Sequence, residues 1–343
     1  MNKKILIPLA AVCLLAGACA KNNATSTGKF AQEYIQLWMD AYHPDVNPTS
    51  DGLYILSEEA GTGAAWTGEA PYAYVDVTIR SLDGTISSTT SEKLAQQLGT
   101  YVQSNYYGPK YQVVGEGYSY AGVDALLQGM RIGGTRTAVI PSWMLTTSRY
   151  DNQQGYINAC SSNTHLIYEI KLAGQSLDPA KDEITALQTY IHTNYGDIES
   201  VTYDDETEAD DSFWFISDVS SFKEEDKLSG TASIKVNYTG RLLKTGTIFD
   251  TTLEKTAKDA GIYSSSRTYE PQSVTLNEDY SEITMGESSS LINGFKGALS
   301  LMKWKGQKAV AIFTSKHGYS YSGSGNAIPG YATLIFELEI VNE

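Results

Sequence analysis

Cysteine and histidine are scarce in this chain of 343 residues, which holds Cys13, Cys19 and Cys160 and the histidines 43, 165, 192 and 317. The histidines are scattered without metal-ligand spacing, so no metal centre is indicated, and His165 and His317 are expected on strand or loop surface. Positive charge is short as well. Lys and Arg number 25 against 40 Asp and Glu, a net charge of −15, which argues against nucleic acid and anionic membrane surfaces as partners. The Gly-rich stretches "GEGYSYAG" and "YSGSGNAIPG" lack a following phosphate-loop Lys, which argues against nucleotide binding. The acidic run "DDETEADD" (Asp204 to Asp211) lacks the Gly of an EF-hand loop and reads as a solvated connector.

The apolar run Ile5 to Leu15 is too short to span a bilayer and follows Lys3 and Lys4, the pattern of an export signal over residues 1–18. Its close, "LAGAC", resembles a bacterial lipobox with Ala16 where Leu is usual, and this implies acylation of Cys19 as the new N-terminus. Ordinary signal cleavage near Ala18 is the competing outcome. The lipobox resemblance implies a protein anchored in the bacterial cell envelope, at the outer membrane or periplasmic face. Only Cys160 then accompanies Cys19, so the core must hold in an oxidising space without an internal disulfide. Cys160 itself is either an inert loop residue or a reactive thiol.

What is present is a repeat. "DGTISSTTSEKLAQQLGTY" (Asp83 to Tyr101) lies over "TGTIFDTTLEKTAKDAGIY" (Thr245 to Tyr263) without a gap, at an offset of 162 residues, and Tyr107 and Pro109 meet Tyr269 and Pro271 at the same offset. "LYILS" (Leu53 to Ser57) matches "FWFIS" (Phe213 to Ser217), and "HLIYEIKL" (His165 to Leu172) matches "TLIFELEI" (Thr333 to Ile340). Each copy follows a helical pattern. Phe30, Tyr34, Leu37 and Trp38 share one expected face; Ile184, Leu187, Ile191 and Tyr195 share the other, with Asp178-Pro179 as its start. The remaining elements read as alternating strands with Gly turns, plus two short helices per copy, at "SEKLAQQLG" or "LEKTAKDAG" and at "GVDALLQGM" or "GFKGALSLM". Antiparallel sheet with a helix on one face is the expected α+β arrangement. The reading divides the chain into signal 1–18, linker 19–28, module 29–174, helix and acidic connector 175–212, and module 213–343.

Residues 232–343 carry "VNYTG", "IFDTT", "LINGFKGAL", "GQKAVAIFTSKHGYS" and "AIPGYATLIFELEI" in order, and so resemble an FKBP-type peptidyl-prolyl cis-trans isomerase domain. The resemblance implies tandem FKBP-like modules, each a twisted antiparallel sheet wrapped on a short helix, with an extra helix before each. It implies a prolyl pocket walled by Tyr238, Phe249, Leu291, Ile292, Ile328 and Phe336, floored by Phe295 where the family usually has Trp. Asp250 and Tyr319 would be its catalytic polar groups, and the Ile292 N–H would meet a substrate carbonyl. No cofactor or metal is implied. The partners would be proline-containing exported polypeptides.

The second module departs from the family in Ser320, which stands where Gly is usual, and in a long insertion between Asp250 and Leu291. The first module keeps the frame, but Ile79 is expected in place of Tyr238, Ser87 and Ser88 in place of Phe249 and Asp250, Val123 in place of Phe295 and Thr146 in place of Tyr319. Isomerase activity is therefore expected in the second module alone. The alternative is a non-enzymatic envelope binding protein or chaperone that uses the same pockets.

Overall fold

The computed structural model describes residues 26–201, 211–278, 282–286 and 290–341. The signal segment, Cys19 and the run 204–210 lie outside the described residues. Among the described residues no helix is long and apolar enough to cross a membrane.

The first module runs α1 (Thr27–Tyr42), β1 (Tyr54–Glu59), β2 (Tyr72–Ser81), β3 (Ile86–Thr89), α2 (Glu92–Gln97), β4 (Lys110–Val113), α3 (Ala121–Leu127), β5 (Thr135–Ile140), α4 (Gln153–Ala159) and β6 (Leu166–Ser176). The second runs α5 (Pro179–Tyr195), β7 (Phe213–Ile216), β8 (Ala232–Leu242), β9 (Ile248–Thr251), α6 (Glu254–Asp259), β10 (Gln272–Leu276), β11 (Ile283–Met285), α7 (Asn293–Ser300), β12 (Lys308–Phe313) and β13 (Leu334–Val341). Both sheets are antiparallel and share one strand order. The first is β1-β5-β6-β2-β3 with β4 also on β2; the second is β7-β12-β13-β8-β9 with β10 also on β8 and β11 beyond it. The fold is thus α+β, with one strand order built twice.

The duplication extends to single hydrogen bonds. The Val77 N–H donates to Thr90 Oγ1 at 3.0 Å, as the Tyr238 N–H does to Thr252 Oγ1 at 3.0 Å. The Thr78 and Thr89 hydroxyls meet at 2.9 Å, those of Thr239 and Thr251 at 2.8 Å. These pairs fix the register between modules and correct one expectation. Ile79 faces Ser88 and Tyr168 across the sheet, as Gly240 faces Asp250 and Phe336. The residue in the place of Tyr238 is therefore Val77, and Ile79 stands in the place of Gly240. The turn after β2 is one residue shorter than that after β8, which is what misplaced the alignment.

Helix α7 lies close against its sheet because Gly294 has no side chain; a Cβ there would sit 2.5 Å from the Phe313 ring. That approach buries Phe295, Ala298 and Leu299 on β-strand side chains and forms the main core of the second module. Helix α5 starts as read, with the Asp178 carboxylate accepting from the N–H groups of Ala180 and Lys181 and Pro179 in the first turn. It buries Leu187 and Ile191 against Trp214, Ile312 and Ile335. Its buried Glu183 accepts from the Ser315 N–H at 2.9 Å, the Thr333 hydroxyl at 3.0 Å and the Ser315 hydroxyl. Burial raises the Glu183 pKa in spite of these bonds.

Helix α1 turns a different face inward from the one expected. Ala31, Ile35 and Met39 are buried, while Phe30, Tyr34 and Leu37 are exposed. The reason is α4, which was not foreseen: Gly28 and Ala31 are small, and a Cβ on Gly28 would lie 1.9 Å from the Ile157 carbonyl oxygen. Close packing on a neighbouring helix outweighs the larger apolar stripe. His165 and His317 are likewise buried rather than superficial, each 3% exposed. His165 Nδ1 accepts from the Ser142 N–H at 3.1 Å, and His317 Nε2 meets the Ser212 hydroxyl at 2.7 Å. Cys160 ends α4, half-buried, with Sγ 2.9 Å from the Ser162 carbonyl oxygen.

Candidate active site

The second module gathers the nominated apolar residues into one aromatic cage between β8, β13 and α7. Phe336 is its centre: its ring lies 5.0 Å from Phe295, 5.7 Å from Phe249 and 6.3 Å from Tyr238, and Tyr238 stands edge-on to Phe295 at 5.2 Å. Edge-to-face pairs of this kind hold rings in fixed orientations. Tyr238, Phe295, Ile328 and Phe336 are buried; Phe249, Leu291, Ile292 and Tyr319 are half-buried and pack on the same cluster. The strand leaves room for the cage only because residue 240 is Gly: a Cβ there would lie 2.7 Å from Phe249 and 2.8 Å from Phe336. In the first module the same position holds Ile79, and the partner of Phe249 is Ser87, so the two changes offset each other sterically.

Asp250 lies at the rim of this cage with both oxygens engaged. The Tyr238 hydroxyl donates to Oδ2 at 2.8 Å, and the Arg267 guanidinium forms an ion pair with Oδ1. Burial first, then the Asp250 charge, raises the Tyr238 phenol well above its ordinary range. For Arg267, burial opposes the charged form, but the bond and charge of Asp250 outweigh it and the pKa is raised. Burial and then Asp250 raise the Tyr319 phenol in the same way. The Tyr319 hydroxyl has no partner among the described residues, and neither has the Ile292 N–H, which stands at the N-cap of α7. Two donors thus remain open beside an apolar cage. Ser320, next to Tyr319, takes φ 56°, so the backbone keeps the left-handed shape that Gly would hold with less strain.

Arg267 was missed in the sequence. It comes from the insertion, whose Tyr263 and Tyr269 rings stack at 5.3 Å and whose Tyr269 lies under the Arg267 guanidinium at 5.3 Å. The first module repeats this loop, with Tyr101 and Tyr107 stacked at 5.3 Å. At the repeat offset Arg267 falls on Asn105 and Asp250 on Ser88. Charge is lost from both partners together, and that paired loss was the signal available.

A model of the family described as FKBP-type peptidyl-prolyl cis-trans isomerase matches residues 224–341. The chain is 32% identical over 108 residues to an FK506-binding protein of Neisseria meningitidis serogroup B, covering 76% of that protein and 32% of this chain. It is 28% identical over 117 residues to a probable FKBP-type peptidyl-prolyl cis-trans isomerase of Haemophilus influenzae, where the match spans 34% of this chain and only 37% of that protein's length. Among solved structures, the three FKBP domains of wheat FKBP73 align at a TM-score of 0.27 and 16% identity, over 84% of this chain and 94% of that one. FkpA from Escherichia coli aligns at 0.30 and 18%, over 45% and 61%.

Proposed function

The chain belongs to the FKBP-type peptidyl-prolyl cis-trans isomerase family, and we propose that its second module isomerises X-Pro bonds of exported polypeptides while the first does not. One contrast carries this reading. The frame is built twice, and the second copy fills it with Tyr238, Phe249, Phe295 and Phe336 around Asp250, where the first has Val77, Ser87, Val123, Tyr168 and Ser88.

Rotation about a peptide bond loses planar resonance and faces a barrier of roughly 18–20 kcal/mol, so unaided X-Pro exchange takes roughly tens to hundreds of seconds. The rotation calls for no nucleophile, metal or cofactor. A twisted amide is less charge-separated than a planar one, so the apolar cage favours it over the ground state. The Tyr319 hydroxyl and the Ile292 N–H donate to carbonyls of the substrate backbone and hold it in the orientation that the twist requires. Asp250 does not act as a base: with Tyr238 and Arg267 on its two oxygens it fixes the rim and sets the field there.

The test is exchange NMR on an Ala-Pro peptide with the full chain, Tyr319→Phe and Asp250→Ala, with folding checked by circular dichroism. Each variant should lose on the order of 1–3 kcal/mol of barrier lowering, roughly five- to 150-fold in rate. Folded variants as fast as wild type would remove these residues from the mechanism. Binding without catalysis by wild type would hand the function to a non-enzymatic envelope binding protein.

The small-residue run before Cys19 supports acylation there and an envelope location, with the protein held to a membrane by its lipid. Metabolic labelling with a fatty acid should mark the wild type and leave Cys19→Ala unmarked; equal labelling of both would refute the anchor.

A further inference from the structure

The first module does not close over its missing aromatics. Where the second module has its cage, it holds a cleft of about 470 Å³ lined by Val77, Ile79, Val123, Tyr118, Tyr120 and Tyr168 among others. That lies within the roughly 300–1,000 Å³ of ordinary ligand sites. Val77 and Val123 occupy the places of Tyr238 and Phe295, so two aromatic rings' worth of wall is gone. The base has changed too. Tyr168 stands where Phe336 does in the second module, pairing with Ile79 as Phe336 pairs with Gly240. It is 6% exposed, and its hydroxyl has no partner among the described residues. Burial, with Tyr120 close by, pushes this phenol up to about 12.

The Tyr168 hydroxyl faces the cleft and is free to donate to or accept from a group placed there. The lip of the cleft supplies further contacts. Tyr118 is 73% exposed and Tyr120 41%, two large rings presented at the opening. Tyr120 is the N-cap of α3 with φ −65° and ψ 140°, matching Ile292 at φ −63° and ψ 145° before α7. Its N–H, like that of Ile292, has no partner among the described residues. The first module thus keeps the backbone donor for a carbonyl, has valines in place of two wall rings and adds a hydroxyl at its base.

We propose that this cleft binds an extended polypeptide segment through a bulky apolar side chain, aromatic rather than prolyl, its backbone carbonyl meeting the Tyr120 N–H and a polar acceptor meeting the Tyr168 hydroxyl. A cleft of about 470 Å³ is not filled by a proline ring, which is too small for it. The rings of Tyr118 and Tyr120 select for a flat side chain. From the isomerase reading the proposal takes only the kind of ligand, and it needs no catalysis. The first module is then a second grip on an unfolded chain, with a residue preference of its own.

The experiment is NMR titration of the isotope-labelled full chain with two capped pentapeptides, Ala-Ala-Phe-Ala-Ala and Ala-Ala-Pro-Ala-Ala. The Phe peptide should shift the first-module resonances of Val77, Tyr120 and Val123, and do so at lower concentration than the Pro peptide. Tyr168→Phe and the surface variant Tyr118→Ser should each weaken that binding roughly two- to tenfold. The second-module variant Asp250→Ala should leave it unchanged, which separates this site from the isomerase reading. First-module shifts indifferent to both tyrosine changes, shifts confined to the second module, or an equal preference for the Pro peptide would each overturn the proposal.

Discussion

The backbone N–H of Tyr106, in the first module, donates to the carbonyl oxygen of Asn326, in the second, at 2.7 Å. Asn326 lies on the loop between Tyr319 and Ile328, so the loop that carries the open hydroxyl of the candidate site is held from the other module. The contact is broad. The Tyr106 ring is 8% exposed and belongs to the second module's core. Lys244 Nζ lies 4.0 Å from the centre of the Tyr74 ring and donates to its hydroxyl at 2.7 Å, and the Tyr331 ring meets Tyr72 and Tyr111 edge-on at 5.8 and 5.7 Å.

Tyr106→Ala in the full chain should therefore act on the second module. A buried aromatic removed from a core costs about 3–5 kcal/mol, and the hydrogen bond from the Tyr106 hydroxyl to the Pro109 carbonyl is lost with it. Thermal unfolding should shift down, and proline exchange should slow even well below the transition. An unchanged exchange rate would mean that the loop holds its shape unaided.

Tyr238 and Arg267 share one carboxylate, so their effects should not add. Tyr238→Phe, Arg267→Ala and the double variant form a cycle whose coupling is expected at about 0.5–3 kcal/mol, read from both unfolding and exchange rate. Additive losses would show that Asp250 is held by something other than these two groups.

Gly240→Ala places a methyl group against the rings of Phe249 and Phe336. Overpacking of this kind costs about 1–3 kcal/mol. The near-ultraviolet circular dichroism of the cage and the isomerase rate should both fall, whereas Ile79→Ala in the first module should leave the rate unchanged. A silent Gly240→Ala would mean that the cage is loosely packed.

His165 should make the first module acid-labile. Burial lowers its pKa to about 4, and its Nδ1 accepts from the Ser142 N–H, so the folded ring is neutral. The unfolded chain takes up the proton near pH 6.5, which the folded chain refuses. Stability from this group is therefore complete above pH 6.5 and is lost as pH falls towards 4, by about 3 kcal/mol in all. Urea unfolding at pH 7 and pH 4.5 should show this drop in wild type and a smaller one in His165→Gln; equal drops would assign the acid sensitivity elsewhere.

Much of this was legible without coordinates. Ten identities in nineteen aligned residues announce a duplication, and alternation of apolar residues marks the strands, because both depend only on order along the chain. The candidate residues Tyr238, Phe249, Asp250, Phe295, Tyr319 and Phe336 were nominated the same way, from the family's sequence order, and the fold brings them together. Tertiary structure decided the rest. Ile79 was misplaced because a strand's register is fixed by pairing, and a one-residue change in a turn moves every partner. The inward face of α1 depended on α4, a neighbour absent from any local pattern. Arg267 gained meaning only when folding carried it across the insertion to Asp250. The hold of Tyr106 on the Asn326 loop and the unpartnered Tyr168 hydroxyl are relations in space between distant segments, set by packing and hydrogen-bond geometry rather than by the order of residues.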